Sequence, residues 1–129
     1  MFRAALFLPF LISACQDETL SGFVGDASRW ELVELDGNRF EASATLDLRE
    51  QGRVSGSAPC NSYSASQSAP YPWFELGAIM STKRACQALA DETAFFRALK
   101  SMTISEVSGG SLILSNEAGG QMVFSAISE

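Results

Sequence analysis

Residues 86–126 read CQALADETAFFRALKSMTISEVSGGSLILSNEAGGQMVFSA, and two periodicities within this stretch decide the fold. From near Cys86 to Ser101, Leu89, Phe96 and Leu99 recur at helical spacing, and Phe95 and Met102 widen the same stripe. Asp91 and Glu92 lie in the N-terminal half of this segment, and Arg97 and Lys100 lie near its end, an arrangement the helix macrodipole favours. The period then changes to two. Leu112 with Leu114, and Met122 with Phe124, mark the inward faces of strands expected at 102–107, 112–114 and 121–126. Ser108-Gly109-Gly110 and residues 116–120 supply the turns between them. A helix followed by a three-stranded meander predicts an antiparallel sheet with one helix on its apolar face.

Toward the N-terminus the chain continues as short strands. Residues 30–35 form the first, ended by the turn signal Asp36-Gly37. Leu46 and Leu48 alternate with Thr45, Asp47 and Arg49, as on a half-buried strand, and Gln51-Gly52 turns the chain into Arg53-Val54-Ser55-Gly56. Residues 57–72, rich in Ser, Ala and Pro, read as a loop with one short strand around Tyr63, and 73–76 as a further strand. Short connections make sequential strands pair. The expected fold is therefore α+β, a small, strongly twisted antiparallel β-sheet (an open or cracked barrel) packed around one α-helix. Trp30, Phe74 and Phe96 are expected in its core. Tyr71 and Trp73, beside Pro70 and Pro72, form a candidate recognition patch, because aromatic residues in a Pro-rich loop suit binding. The alternative is that they cap one open end of the sheet.

At the other extreme of the chain, Arg3 precedes the apolar run of residues 4–11, which is too short to span a bilayer, and Leu11-Ile12-Ser13-Ala14-Cys15 follows. This segment resembles the lipobox of bacterial lipoproteins, in which the peptide is cut before an acylated Cys. The resemblance implies a signal peptide over 1–14, lipidation of Cys15, a flexible tether through residue 28 and a domain over 29–129. It implies a membrane partner, reached through the N-terminal lipid anchor, in a bacterial cell envelope. Gln16, where an Asp would signal inner-membrane retention, favours the outer membrane and a domain facing the periplasm. An ordinary secretory signal cut near Ala14, or an uncleaved anchor, is the alternative.

Without residues 1–14, 115 residues remain, enough for one domain, and 8 Lys and Arg face 15 Asp and Glu. Such an acidic surface repels phosphate backbones, which excludes nucleic acid as a partner. Assigning Cys15 to lipid leaves Cys60 and Cys86 as a disulfide pair in an oxidising compartment, with a redox or metal role as the rival reading. The chain has no His and no Cys-x-x-Cys, so neither a metal site nor a cofactor is expected. The domain is expected to be a monomer.

Trp30-x-Leu32, Val54-Ser55-Gly56, Cys60-Asn61-x-Tyr63, Ser81-Thr82-x-x-x-Cys86 and Leu112-x-Leu114 stand in an order that resembles META domains, the family of HslJ-like bacterial lipoproteins. The resemblance covers roughly residues 29–126. It implies an antiparallel sheet curled around a helix, and it carries no assigned biochemical activity. Two positions depart from the family pattern: Pro59 and Ala65 stand where glycines are usual. The motif residues Trp30, Asn61, Tyr63 and Thr82 are read as structural. Asn61 bonds across its loop to hold the two Cys-bearing segments together, while Tyr63 and Thr82 satisfy buried backbone groups.

Catalytic residues are not expected. Without His there is no common proton shuttle, and neither a Gly-x-Ser-x-Gly elbow nor a nucleotide-binding glycine pattern is present. Asp91/Glu92 and Glu31/Glu34 read as helix-start and exposed-strand charges. The expectation is a membrane-anchored, non-catalytic envelope lipoprotein that binds an unknown envelope protein or serves envelope integrity under stress. The alternatives are a carrier of a small apolar ligand and an inhibitor of a cell-wall hydrolase or protease.

Overall fold

Nine short strands and one α-helix make up the regular structure of residues 16–25 and 27–127, the part of the chain described by this computed structural model. The strands are β1 (Arg29–Leu35), β2 (Asn38–Arg39), β3 (Thr45–Asp47), β4 (Arg53–Ser57), β5 (Ser62–Ser66), β6 (Met80–Ser81), β7 (Ile104–Ser108), β8 (Ser111–Ser115) and β9 (Gln121–Ala126). The helix α1 (Leu89–Ser101) stands between β6 and β7. All pairings are antiparallel, in the order β6-β5-β4-β3-β1-β9-β8-β7, with β2 folded back on the end of β1. This is the α+β architecture expected from the two periodicities: a twisted, unclosed sheet around one helix.

β1 organises the sheet because it bonds on both edges. It pairs with β9 along its length, and with β3 and then β2 on its other side. Trp30 and Leu32 point inward and Val33 outward by strand alternation, and a register shift between Leu32 and Glu34 leaves Glu34 exposed as well. The β1–β2 hairpin closes on Asp36-Gly37, both at positive φ, as a two-residue turn of matching twist requires. Inside the curl, Phe95 and Leu99 of α1 are fully buried against Trp30, Leu46, Leu112, Leu114, Met122 and Phe124. Phe95 and Phe96 each meet the Tyr63 ring edge-on at 5.5 Å, the geometry aromatic quadrupoles prefer.

The structure departs from the sequence reading in three places. The helix begins at Leu89 rather than near Cys86, and Leu89 is exposed, so Glu92 takes the first inward position of the stripe. By contrast, the short strand expected around Tyr63 within 57–72 is present as β5, paired with β4 over five residues, with Tyr63 and Ala65 turned inward and serines outward. The strand expected over 73–76 is reduced to isolated bridges, since Pro72 has no N–H to contribute to a ladder. Finally, residues 17–24 are not a tether. Leu20 and Val24 are buried, residues Leu20–Phe23 form a 3-10 turn, and Thr19 bridges to Pro70. Leu20 and Val24 stand four apart, a helical spacing too brief to register as a pattern.

The segment 67–76 spans the gap between the two ends of the sheet. Gln67 bridges to Leu76 and Trp73 to Ile104, while Phe74 donates to the Thr103 carbonyl and Ser105 to that of Pro72. The buried Gln67 amide holds this segment in shape. It accepts from the Ala69 and Glu75 backbone N–H groups and donates to the Ala69 carbonyl.

Gly56 is the one position where the sheet demands glycine. Its φ is 155°, and a Cβ there would fall inside contact distance of the Thr45 carbonyl on the neighbouring strand. Gly56→Ala should therefore destabilise the domain by about 2 kcal/mol in urea unfolding, through strain and the parting of β3 from β4.

Candidate functional site

The motif residues gather where the N-terminus of α1 meets the loop before β5. Cys60 and Cys86 form a disulfide with Cα atoms 5.6 Å apart, joining segments 26 residues distant in sequence. Beside it the Glu92 carboxylate, 4% exposed, accepts the backbone N–H groups of Cys60 (3.0 Å) and Asn61 (2.8 Å) and the Asn61 side-chain amide (2.7 Å). The other amide hydrogen of Asn61 goes to the Arg84 carbonyl (2.9 Å). The Asn61 oxygen accepts from the Arg84 N–H (2.6 Å) and the Thr82 hydroxyl (2.9 Å). Asn61 thus uses its whole side-chain hydrogen-bonding capacity on two other segments of the chain, residues 82–84 and the start of α1.

Tyr63 is buried one strand position further on. Its hydroxyl donates to the Thr45 carbonyl at 2.7 Å, beside Gly56. Burial, reinforced by the nearby negative charge of Asp47, pushes its pKa far above the ordinary tyrosine value. Thr82 is exposed and accepts the Ser62 N–H (3.2 Å). Trp30 is wholly enclosed in the core. Cys15 and residues 1–14 lie outside the described residues.

Glu92 is the site residue that sequence reasoning misses, having been taken for a helix-start charge. A signal for it exists: Glu92 precedes Phe95 and Phe96 by three and four positions and Leu99 by seven, so it lies on the apolar stripe itself. A carboxylate on an inward stripe needs donors, and the loop before β5 provides them.

Two exposed features flank this frame. The first is an open hollow of about 330 Å³ beside the disulfide, lined by Ser81, Lys83, Arg84, Leu89, Glu92 and Phe96. Leu89 is exposed on this side, at 43%. No carboxylate pairs with Lys83 or Arg84 among the described residues. The second is aromatic. Tyr71 is half-buried, with its N–H on the Glu18 carbonyl, its hydroxyl accepting from the Val107 N–H (3.3 Å), and its ring stacked on Phe23 at 4.4 Å. Trp73 is 58% exposed and Phe23 50%. Tyr71 and Trp73 therefore differ: the first is built into the edge of the sheet, and the second is presented to the surroundings.

Among the described residues no cluster of three or more His, Cys, Asp or Glu could hold a metal ion, and no helix is long and apolar enough to cross a membrane. The polar groups of the motif bond to the chain's own backbone and to one another.

Comparison with known proteins agrees with this frame. The META domain profile matches residues 23–129. Among solved structures, an NMR structure of a protein from Burkholderia xenovorans is similar over 84% of this chain and 87% of its own, at 21% identity and a TM-score of 0.67. A crystal structure of a DUF4847 family protein from Bacteroides vulgatus is similar over 78% and 92%, at 11% identity and a TM-score of 0.63. At these identities the likeness establishes the fold. The search of curated proteins found no match.

Glu92→Ala should cost about 3 kcal/mol in urea unfolding, because it leaves the Cys60 and Asn61 donors buried without an acceptor. Glu92→Gln should cost less, since only the bond from the Asn61 amide is replaced by opposing donors. Tyr63 sets a separate expectation. A raised folded-state pKa means that the unfolded chain loses this proton first, so its stabilisation is complete below about pH 10 and falls as pH rises further. Difference unfolding curves between wild type and Tyr63→Phe should be flat from neutral pH and should converge only in this alkaline range.

Proposed function

The chain belongs to the META domain family, and we propose that it acts as a non-catalytic binding module, held at a bacterial envelope membrane by a lipid on Cys15. The observation that carries this reading is the direction of the motif's polar groups. Asn61, Tyr63 and Glu92 are turned onto the backbone, which leaves no activated nucleophile or acid–base pair among them. Next to this rigid frame lies an open surface of Leu89, Lys83 and Arg84. An apolar floor with two cations that have no carboxylate partner among the described residues suits a protein partner that presents apolar and acidic side chains. The lipobox-like segment ending at Cys15 is what supports an envelope location, and Gln16 after it favours the periplasmic face of the outer membrane.

The chain contains only two lysines, Lys83 in the hollow and Lys100 at the end of α1, which makes amine-reactive crosslinking selective. In intact cells of the host, one defined crosslinked protein should appear through Lys83, vanish in Lys83→Ala and persist in Lys100→Ala. Products arising only from Lys100 would overturn the assignment of the hollow. Mass spectrometry of the mature chain should show a diacylglyceryl group on Cys15, and Cys15→Ala should leave the membrane fraction. A mature chain without acyl mass would refute the anchor.

A further inference from the structure

We infer that Phe23 and Trp73 form a membrane-contact face, which seats the domain on the interface of a zwitterionic bilayer beside its own anchor. The inference rests on the lipidation of Cys15 proposed above.

The packing of residues 17–24 removes the slack that a tether would provide. Thr19 is bridged to Pro70, Glu18 accepts the Tyr71 N–H, and Leu20 is fully buried, so the chain leaves the domain at this point. Cys15 is four residues from Thr19, a reach of at most about 14 Å. Both exposed rings stand beside the same exit. Trp73 donates its N–H to the Pro70 carbonyl (2.8 Å), and Phe23, at the end of the 3-10 turn, stacks on Tyr71. A bilayer that receives the acyl chains of Cys15 is thus drawn against Phe23 and Trp73. Large rings, Trp above all, are the side chains favoured at the headgroup level. Charge selects the lipid: Asp17 and Glu18 flank the exit on an acidic domain, which disfavours an anionic surface. The short reach also argues against a folded protein here, since it would have to fit between the domain and the headgroups. The hollow beside Leu89 is separated from Trp73 by much of α1, whose 13 residues extend about 20 Å, so membrane seating leaves it accessible.

The test uses the full chain, matured in a bacterial host and reconstituted into phosphatidylcholine vesicles with brominated acyl chains. Its two tryptophans separate cleanly, Trp30 being enclosed and Trp73 exposed. Subtracting the emission of Trp73→Phe isolates the Trp73 signal, which the brominated lipid should quench about twofold or more. Phe23→Ser, with an unchanged circular dichroism spectrum, should restore much of that emission. Acylated protein whose Trp73 is quenched by aqueous iodide but not by brominated lipid would overturn the membrane face and leave the anchor standing. Absence of acyl mass on Cys15 would remove the anchor, and this inference with it. A photocrosslinker at position 73 should label lipid in native membranes; a protein adduct in its place would assign the patch to a protein partner.

Discussion

The Glu92 carboxylate sets the geometry on which the rest of the domain depends. Removing a carboxylate from water costs several kcal/mol, offset only where good donors surround it. Here the donors come from Cys60 and Asn61, at the start of β5, while Glu92 itself stands in the first turns of α1. The bonds therefore fix the depth and rotation of the helix within the curled sheet. With Glu92 held, Phe95 and Phe96 meet Tyr63, and Leu99 enters the core one turn later. The neighbouring disulfide acts by different physics. It restricts the unfolded chain, worth about 3 kcal/mol for a loop of this length, and discriminates less among folded arrangements. Carboxylate and disulfide join the same two segments, one specifying geometry and the other limiting freedom.

How much of this the sequence discloses depends on side-chain size and on convention. The helix and the β7–β8–β9 meander are legible because Leu, Phe and Met mark their inward faces at two distinct periods. β5 is legible only around Tyr63, since alternation between Ser and Ala carries little hydropathy contrast, whereas its partner β4 is visible through Val54. The Asp36-Gly37 turn is legible because two consecutive positive φ values need such residues. Residues 17–24 escape notice because one turn with two buried side chains is too short to show a period. Glu92 escapes through the general rule that carboxylates near a helix start face water. Asn61 and Tyr63 can be singled out by their family resemblance, but their partners are set by tertiary contacts that no local pattern encodes.

Membership in the META domain family fixes the scaffold more firmly than the use made of it. The features of the motif are those of a frame: a clip, a buried acid and an amide with every position occupied. What can vary without disturbing that frame is the surface around it. Lys83, Arg84 and Leu89 lie on one side of the polar cluster, and Phe23 and Trp73 lie beside the strap that covers β7. A fold that keeps its polar chemistry inside can change what it touches without rebuilding its core.

An unclosed sheet has two rims, and each is a place where another chain could add a strand. In this protein one rim is the two-residue β6, too short to offer much of a template. The other, β7, is covered by the chain itself, through the bonds that Pro72, Trp73 and Phe74 make along Ile104 and its neighbours. Proline on the covering segment also presents no N–H to a newcomer. An uncovered rim would offer a template for sheet-to-sheet joining. The strap across the open side thus closes off that template as much as it completes the fold.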